Sequence, residues 1–113
     1  MKFSCEKALL SAAVSTASRA VAPKSSIPAL EGILIEAGAT LRLTGYNLET
    51  GIQATVPAEI RETGSLVLSA RLFSEIVRKM PDDMVTFVSN GYNVNIKCGL
   101  SEFNILATDP EEF

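Results

Sequence analysis

The chain contains no histidine and no tryptophan. Without histidine it lacks the commonest general base near neutral pH and the commonest metal ligand, so no metal site or cofactor is expected, and an enzyme is disfavoured but not excluded. Cysteine is scarce. Cys5 and Cys98 lie far apart, match no ligand spacing, and read as buried free thiols in a reducing cytosol. No apolar run reaches the length of a membrane helix. The first residues, Met1 to Glu6, lack the apolar core of a secretory leader. The expected location is therefore cytoplasmic. Aromatic residues make up 6% of the chain. Stacking on single-stranded bases needs exposed aromatic rings, and the basic segments of this chain offer none.

What is present is a globular composition: 113 residues, 47% apolar and 20% charged. That suits one domain with a modest core. The net charge is −3, but the charges are unevenly placed. Cys5 to Lys24 carries Lys7, Arg19 and Lys24 against Glu6 alone. Ser69 to Met80 carries Arg71, Arg78 and Lys79 against Glu75 alone. The rest of the chain holds Lys2, Arg42, Arg61 and Lys97 among an excess of carboxylates. Such a protein repels polyanions over most of its surface and accepts one on a single face.

Both basic segments read as helices. From about Glu6 to Val21, the set Leu9, Leu10, Ala13, Val14, Ala17 and Val21 follows helical spacing, with Lys7, Ser11, Ser15, Ser18 and Arg19 opposite. Pro23 ends that helix, and Lys24-Ser25-Ser26 forms a loop. The second helix runs from Ala70 to Met80 with Ser69 as N-cap. Leu72, Phe73, Ile76, Val77 and Met80 form its buried stripe, and Glu75 is spaced to pair with Lys79. Strands are expected at Lys2–Cys5, Ile33–Glu36, Thr40–Thr44, Thr50–Val56, Ser65–Leu68, Met84–Val88, Tyr92–Cys98 and Glu102–Ala107. Pro57 to Gly64 reads as an acidic turn, Asn90-Gly91 as a type I′ hairpin, and Asp109 to Phe113 as the start of a linker. The order is strand–helix–three strands, written twice, an α+β plan. Two such units side by side put two antiparallel sheets outside and both helices on one inner face. A dense Arg, Asn and Gln recognition face is missing, so the surface suits the phosphates of duplex DNA without sequence readout.

Five stretches then resemble the N-terminal domain of the bacterial DNA polymerase III beta subunit, the sliding clamp. They are Met1-Lys2-Phe3, Lys24 to Leu30, Leu43-Thr44-Gly45-Tyr46-Asn47-Leu48-Glu49, Leu68 to Arg78, and Gly99 with Glu102-Phe103-Asn104-Ile105. They cover essentially the whole chain in the right order. The resemblance implies a DNA clamp fold and a non-catalytic role in DNA replication: a homodimeric, head-to-tail ring around duplex DNA that gives the polymerase processivity. It implies that residues 1–113 are the first of three such domains, an excised piece that cannot close a ring alone. Polymerase and clamp loader then bind through domains absent here. Family DNA contacts map onto Lys24 and Arg71; Lys7, Arg19, Arg78 and Lys79 join them from the charge pattern. Lysine at position 24, where the family often has arginine, keeps the charge without the bidentate fork. Asn47 stands where aspartate is usual. The subunit interface maps onto the last strand, through Phe103 and Ile105, with Leu72 of the second helix. Two other readings stay open: a hotdog-type thioesterase using Glu6 or Glu75 on one dominant helix, and a generic dimerisation module.

Overall fold

The computed structural model describes residues 1–21 and 28–113. The first unit comprises β1 (Lys2–Glu6), α1 (Lys7–Ser18), β2 (Gly32–Ala37), β3 (Leu41–Tyr46) and β4 (Gly51–Val56). A short strand, β5 (Glu59–Glu62), follows. The second unit comprises β6 (Gly64–Ser69), α2 (Ala70–Lys79), β7 (Met84–Asn90), β8 (Asn93–Cys98) and β9 (Ser101–Leu106). The doubled plan is present, and the segment expected to be an acidic turn supplies the extra strand. β5 pairs antiparallel with β1, with Phe3 opposite Ile60. It sits at a sheet edge, where charged side chains such as the Arg61–Glu59 pair remain in water.

The two units are not self-contained. One sheet has the order β5-β1-β7-β8-β9 and the other β4-β3-β2-β6. Each unit thus gives its first strand to the sheet built by the other. β1 pairs with β7 over Lys2 to Glu6, and β6 pairs with β2 over Gly64 to Ser69. Helix α1 leaves the five-stranded sheet and packs on β3 and β4 of the other, while α2 packs beside β6, the strand it follows, and β2, and reaches the five-stranded sheet through Phe73 against Phe87. The helices also pack on each other. One core results. Phe3 and Phe87 stack at 4.6 Å between ring centroids, and Phe73 of α2 meets Phe87 edge-on at 6.5 Å. A hotdog has one dominant helix; here two helices of 12 and 10 residues take equal parts.

Several local expectations change. Helix α1 ends at Ser18, and bonds from Arg19, Ala20 and Val21 to carbonyls three residues back tighten its last turn. Ala20 is buried there, whereas Leu9 is exposed. The expected stop at Pro23 lies outside the described residues. In α2, Phe73, Val77 and Met80 are buried, but Leu72 is exposed. The Asn90-Gly91 turn is shifted by one residue. Asn90 pairs with Asn93, so Gly91 and Tyr92 are the central residues, and Gly91 alone has positive φ, at 63°. That is the φ pattern of a II′ turn, not I′. The tail folds back on the domain: Thr108 bridges to Val67 on β6, and Asp109 Oδ1 accepts from Glu111 N at 2.9 Å. Asn47 Oδ1 accepts from the backbone N–H groups of Glu49 and Thr50, so the neutral side chain makes the turn an aspartate would make.

Ser69 caps α2 as expected, its Oγ accepting from Leu72 N at 3.3 Å. Ser69→Ala should lower stability by about 1 kcal/mol. An unchanged denaturant midpoint would show that this cap contributes nothing.

Both thiols are buried and free. Cys5 and Cys98 lie opposite Val85 from its two sides. Two strand spacings put their Cα atoms about 10 Å apart, too far for a disulfide without backbone movement. Burial pushes the Cys5 thiol up to about 12, and raises that of Cys98 as well. Among the described residues no helix is long and apolar enough to cross a membrane.

Candidate nucleic-acid interface

The site begins with the outward stripes of the two helices. Ser11, Ser15 and Ser18 recur at helical spacing on α1, as do Arg71, Ser74 and Arg78 on α2. Small side chains on facing stripes let the helices come close. Ser18 Oγ lies 3.5 Å from Ser74 Oγ, and Ser11, Ser15 and Val14 share a groove of about 280 Å³ with Val77 and Arg78. Ser11 to Ser18 of α1 therefore runs beside Ser74 to Arg78 of α2, with Ser18 nearest Ser74, and the helices are antiparallel.

The expected cations fall into two groups. Arg19, at the end of α1, and Arg71, in the first turn of α2, lie towards one end of the pair, and both are exposed. Arg78 and Lys79 lie towards the other end, exposed, in the last turn of α2. There they also complement the negative end of the helix dipole. Lys7 is half-buried at the start of α1, where its backbone N–H donates to the Asp83 carbonyl. Lys24 lies outside the described residues.

Helical spacing misassigned one ion pair. Glu75 was expected to pair with Lys79, but its Oε1 lies 3.7 Å from Arg71 Nη1. Both partners are i,i+4 neighbours of Glu75, so spacing alone did not choose between them.

The five-stranded sheet ends in an open strand. β9 pairs with β8 on one side and forms the edge of its sheet. Phe103 and Ile105 are half-buried against the core, and Leu106 beyond them is 71% exposed. On the outer surface Asn95 Nδ2 donates to Glu102 Oε2 at 2.8 Å and to Asn104 Oδ1 at 3.0 Å. Lys97 Nζ sits 3.3 Å from Glu102. The Asn95 and Lys97 contacts lower the Glu102 pKa. This network ties β9 to β8 and leaves the other edge of β9 unpaired among the described residues. The Val67–Thr108 bridge draws the end of β9 to the strand that leads into Leu72. Leu106 was not foreseen from the sequence; outward alternation on β9 would have shown it once the strand bounds were known.

The family model for the DNA polymerase III beta subunit, N-terminal domain, matches residues 1–113. The chain belongs to this family. The beta sliding clamp of Micrococcus luteus is 36% identical over 111 residues, covering 97% of this chain and 36% of that protein. The crystal structure of the DNA polymerase sliding clamp from Bacillus subtilis superposes with a TM-score of 0.95 at 36% identity, covering 100% of this chain and 32% of that one. The beta subunit of Streptococcus pyogenes DNA polymerase gives 0.94 at 30% identity, with the same coverage. The clamp fold expected from the sequence is thus the fold observed. The chain spans about a third of the length of the relatives it matches.

Proposed function

We propose that this domain is one arc of a sliding clamp, the first of three such domains in its subunit, which encircles duplex DNA without reading its sequence. Its role is non-catalytic: it confers processivity on a replicative polymerase. The observation that carries the reading is the pairing of α1 and α2. Two adjacent helices carry Arg19, Arg71, Arg78 and Lys79 on exposed positions, in a chain of this family. Phosphates are the ligand that such scattered, solvated cations suit. Lys24 and Arg71 are the principal contacts, supported by Arg19, Arg78, Lys79 and, more weakly, Lys7.

The ring closes head to tail through β9. An edge strand with Phe103, Ile105 and exposed Leu106 offers both unpaired backbone and apolar surface to a strand of a second copy, with Leu72 at the same corner. Polymerase and clamp loader bind elsewhere in the full-length subunit.

In the full-length protein, Lys24→Ala with Arg71→Ala should reduce clamp loading and the length of DNA made per binding event, with no change in thermal unfolding. The salt dependence of duplex binding should flatten by about 0.9 in log–log slope for each phosphate that is no longer neutralised. Wild-type processivity and an unchanged slope in the double variant would remove both residues from the DNA face.

A further inference from the structure

Glu75 is the one acidic residue within the two helices; α1 from Lys7 to Ser18 has none. It lies four residues after Arg71, three before Arg78 and four before Lys79, at the centre of the basic stripe of α2. Its carboxylate is 40% exposed and lies 3.7 Å from the Arg71 guanidinium, which is itself 75% exposed. The pair is therefore open to solvent on the face offered to DNA. A phosphate approaching Arg71 meets a guanidinium already shared with a carboxylate.

We infer that Glu75 is a positioning residue for the DNA face: it holds Arg71 along the helix and competes with phosphate for it, keeping the contact weak enough to break as the protein moves along the duplex. The proposal rests on the reading of α1 and α2 as the DNA-facing surface. It assigns Glu75 a role beyond helix stability. An exposed i,i+4 pair adds little to the fold, because water screens both charges. The same small coupling matters more where each cation–phosphate contact is itself weak and must be exchanged rapidly.

The test is a double-mutant cycle on the protein, read by fluorescence anisotropy with a short linear duplex across a salt series at low ionic strength. Glu75→Gln keeps the shape of the side chain and removes the charge. It should tighten duplex binding about two- to fivefold, the range released when an exposed ion pair is broken. It should also steepen the salt dependence as Arg71 engages phosphate more fully. In an Arg71→Ala background the gain from Glu75→Gln should shrink to the small effect of removing a lone negative charge. An equal gain in both backgrounds would mean simple repulsion and would overturn the role assigned to the pair. No gain in the wild-type background would overturn it too. If Arg71→Ala alone leaves affinity and salt slope unchanged, the DNA-face reading of Arg71 fails, and this proposal falls with it. Thermal unfolding of each variant guards against folding defects, and Glu75→Asp serves as the conservative variant. The shorter side chain keeps the charge but not the reach, and it should give an intermediate affinity.

Discussion

Gly45→Ala is expected to lower the melting temperature by on the order of 10 °C, among the largest effects of any single-methyl addition to this domain. Gly45 is a buried residue of β3, and the last turn of α1 lies directly on it. A Cβ at this position would overlap the Ala17 carbonyl oxygen and crowd Val21 Cγ2 at 3.2 Å. The overlap is with backbone, which no rotamer change relieves. The helix must lift or tilt, at a cost of about 3 kcal/mol, near the upper end for overpacking. Lifting it also moves Ser18 and Arg19 relative to α2, so duplex binding should weaken along with stability. Gly38→Ala is the control, since a Cβ there meets nothing within 4 Å. Equal melting temperatures for the two variants would show that α1 does not need this close approach.

Phe87→Ala should remove about 3–5 kcal/mol, read as a lower denaturant midpoint with unchanged slope. Phe87 is fully buried on β7, opposite Phe3 of β1 and Ile96 of β8. It stacks on Phe3 and receives the edge of Phe73 from α2. One ring thus joins the first strand of the first unit, the sheet of the second unit, and helix α2. Beyond the reduced burial, the variant gives up two aromatic pairs, each worth about 0.5–1.5 kcal/mol. Domains of this size are typically stable by only about 5–15 kcal/mol, so the loss should leave a large unfolded fraction at moderate temperature. Phe87→Leu should cost much less, because it refills most of the volume. A midpoint for Phe87→Ala close to wild type would mean that the three rings do not act as the joint of the core.

These two positions mark where sequence reading succeeds and where it stops. Helical spacing located both helices, since an apolar stripe must face a core whatever the topology. Ser69 located the start of α2, because a serine hydroxyl before an apolar run meets an otherwise unpaired N–H. Gly45 stood out as part of a family stretch, but the requirement for it comes from the Ala17 carbonyl, a contact between distant parts of the chain. β5 was missed because it carries one apolar residue, Ile60, and an edge strand needs no more. Leu72 was placed in the buried stripe because periodicity specifies a direction around the helix, not how far the neighbouring sheet extends.

The candidate site divides in the same way. The sequence by itself determined that the basic residues concentrate on two helices, that exposed aromatic rings and a dense base-reading face are missing from them, and that the plan is doubled. Those are properties of composition and local periodicity. The tertiary structure alone decided that each unit lends its first strand to the other's sheet, which sets the two helices side by side and antiparallel. It also decided that Glu75 takes Arg71 and not Lys79, and that β9 keeps one edge open among the described residues, with Leu106 beside it. Strand pairing is settled by neighbours far along the chain, which local periodicity does not register, and local spacing leaves the two possible partners of Glu75 nearly equal in energy.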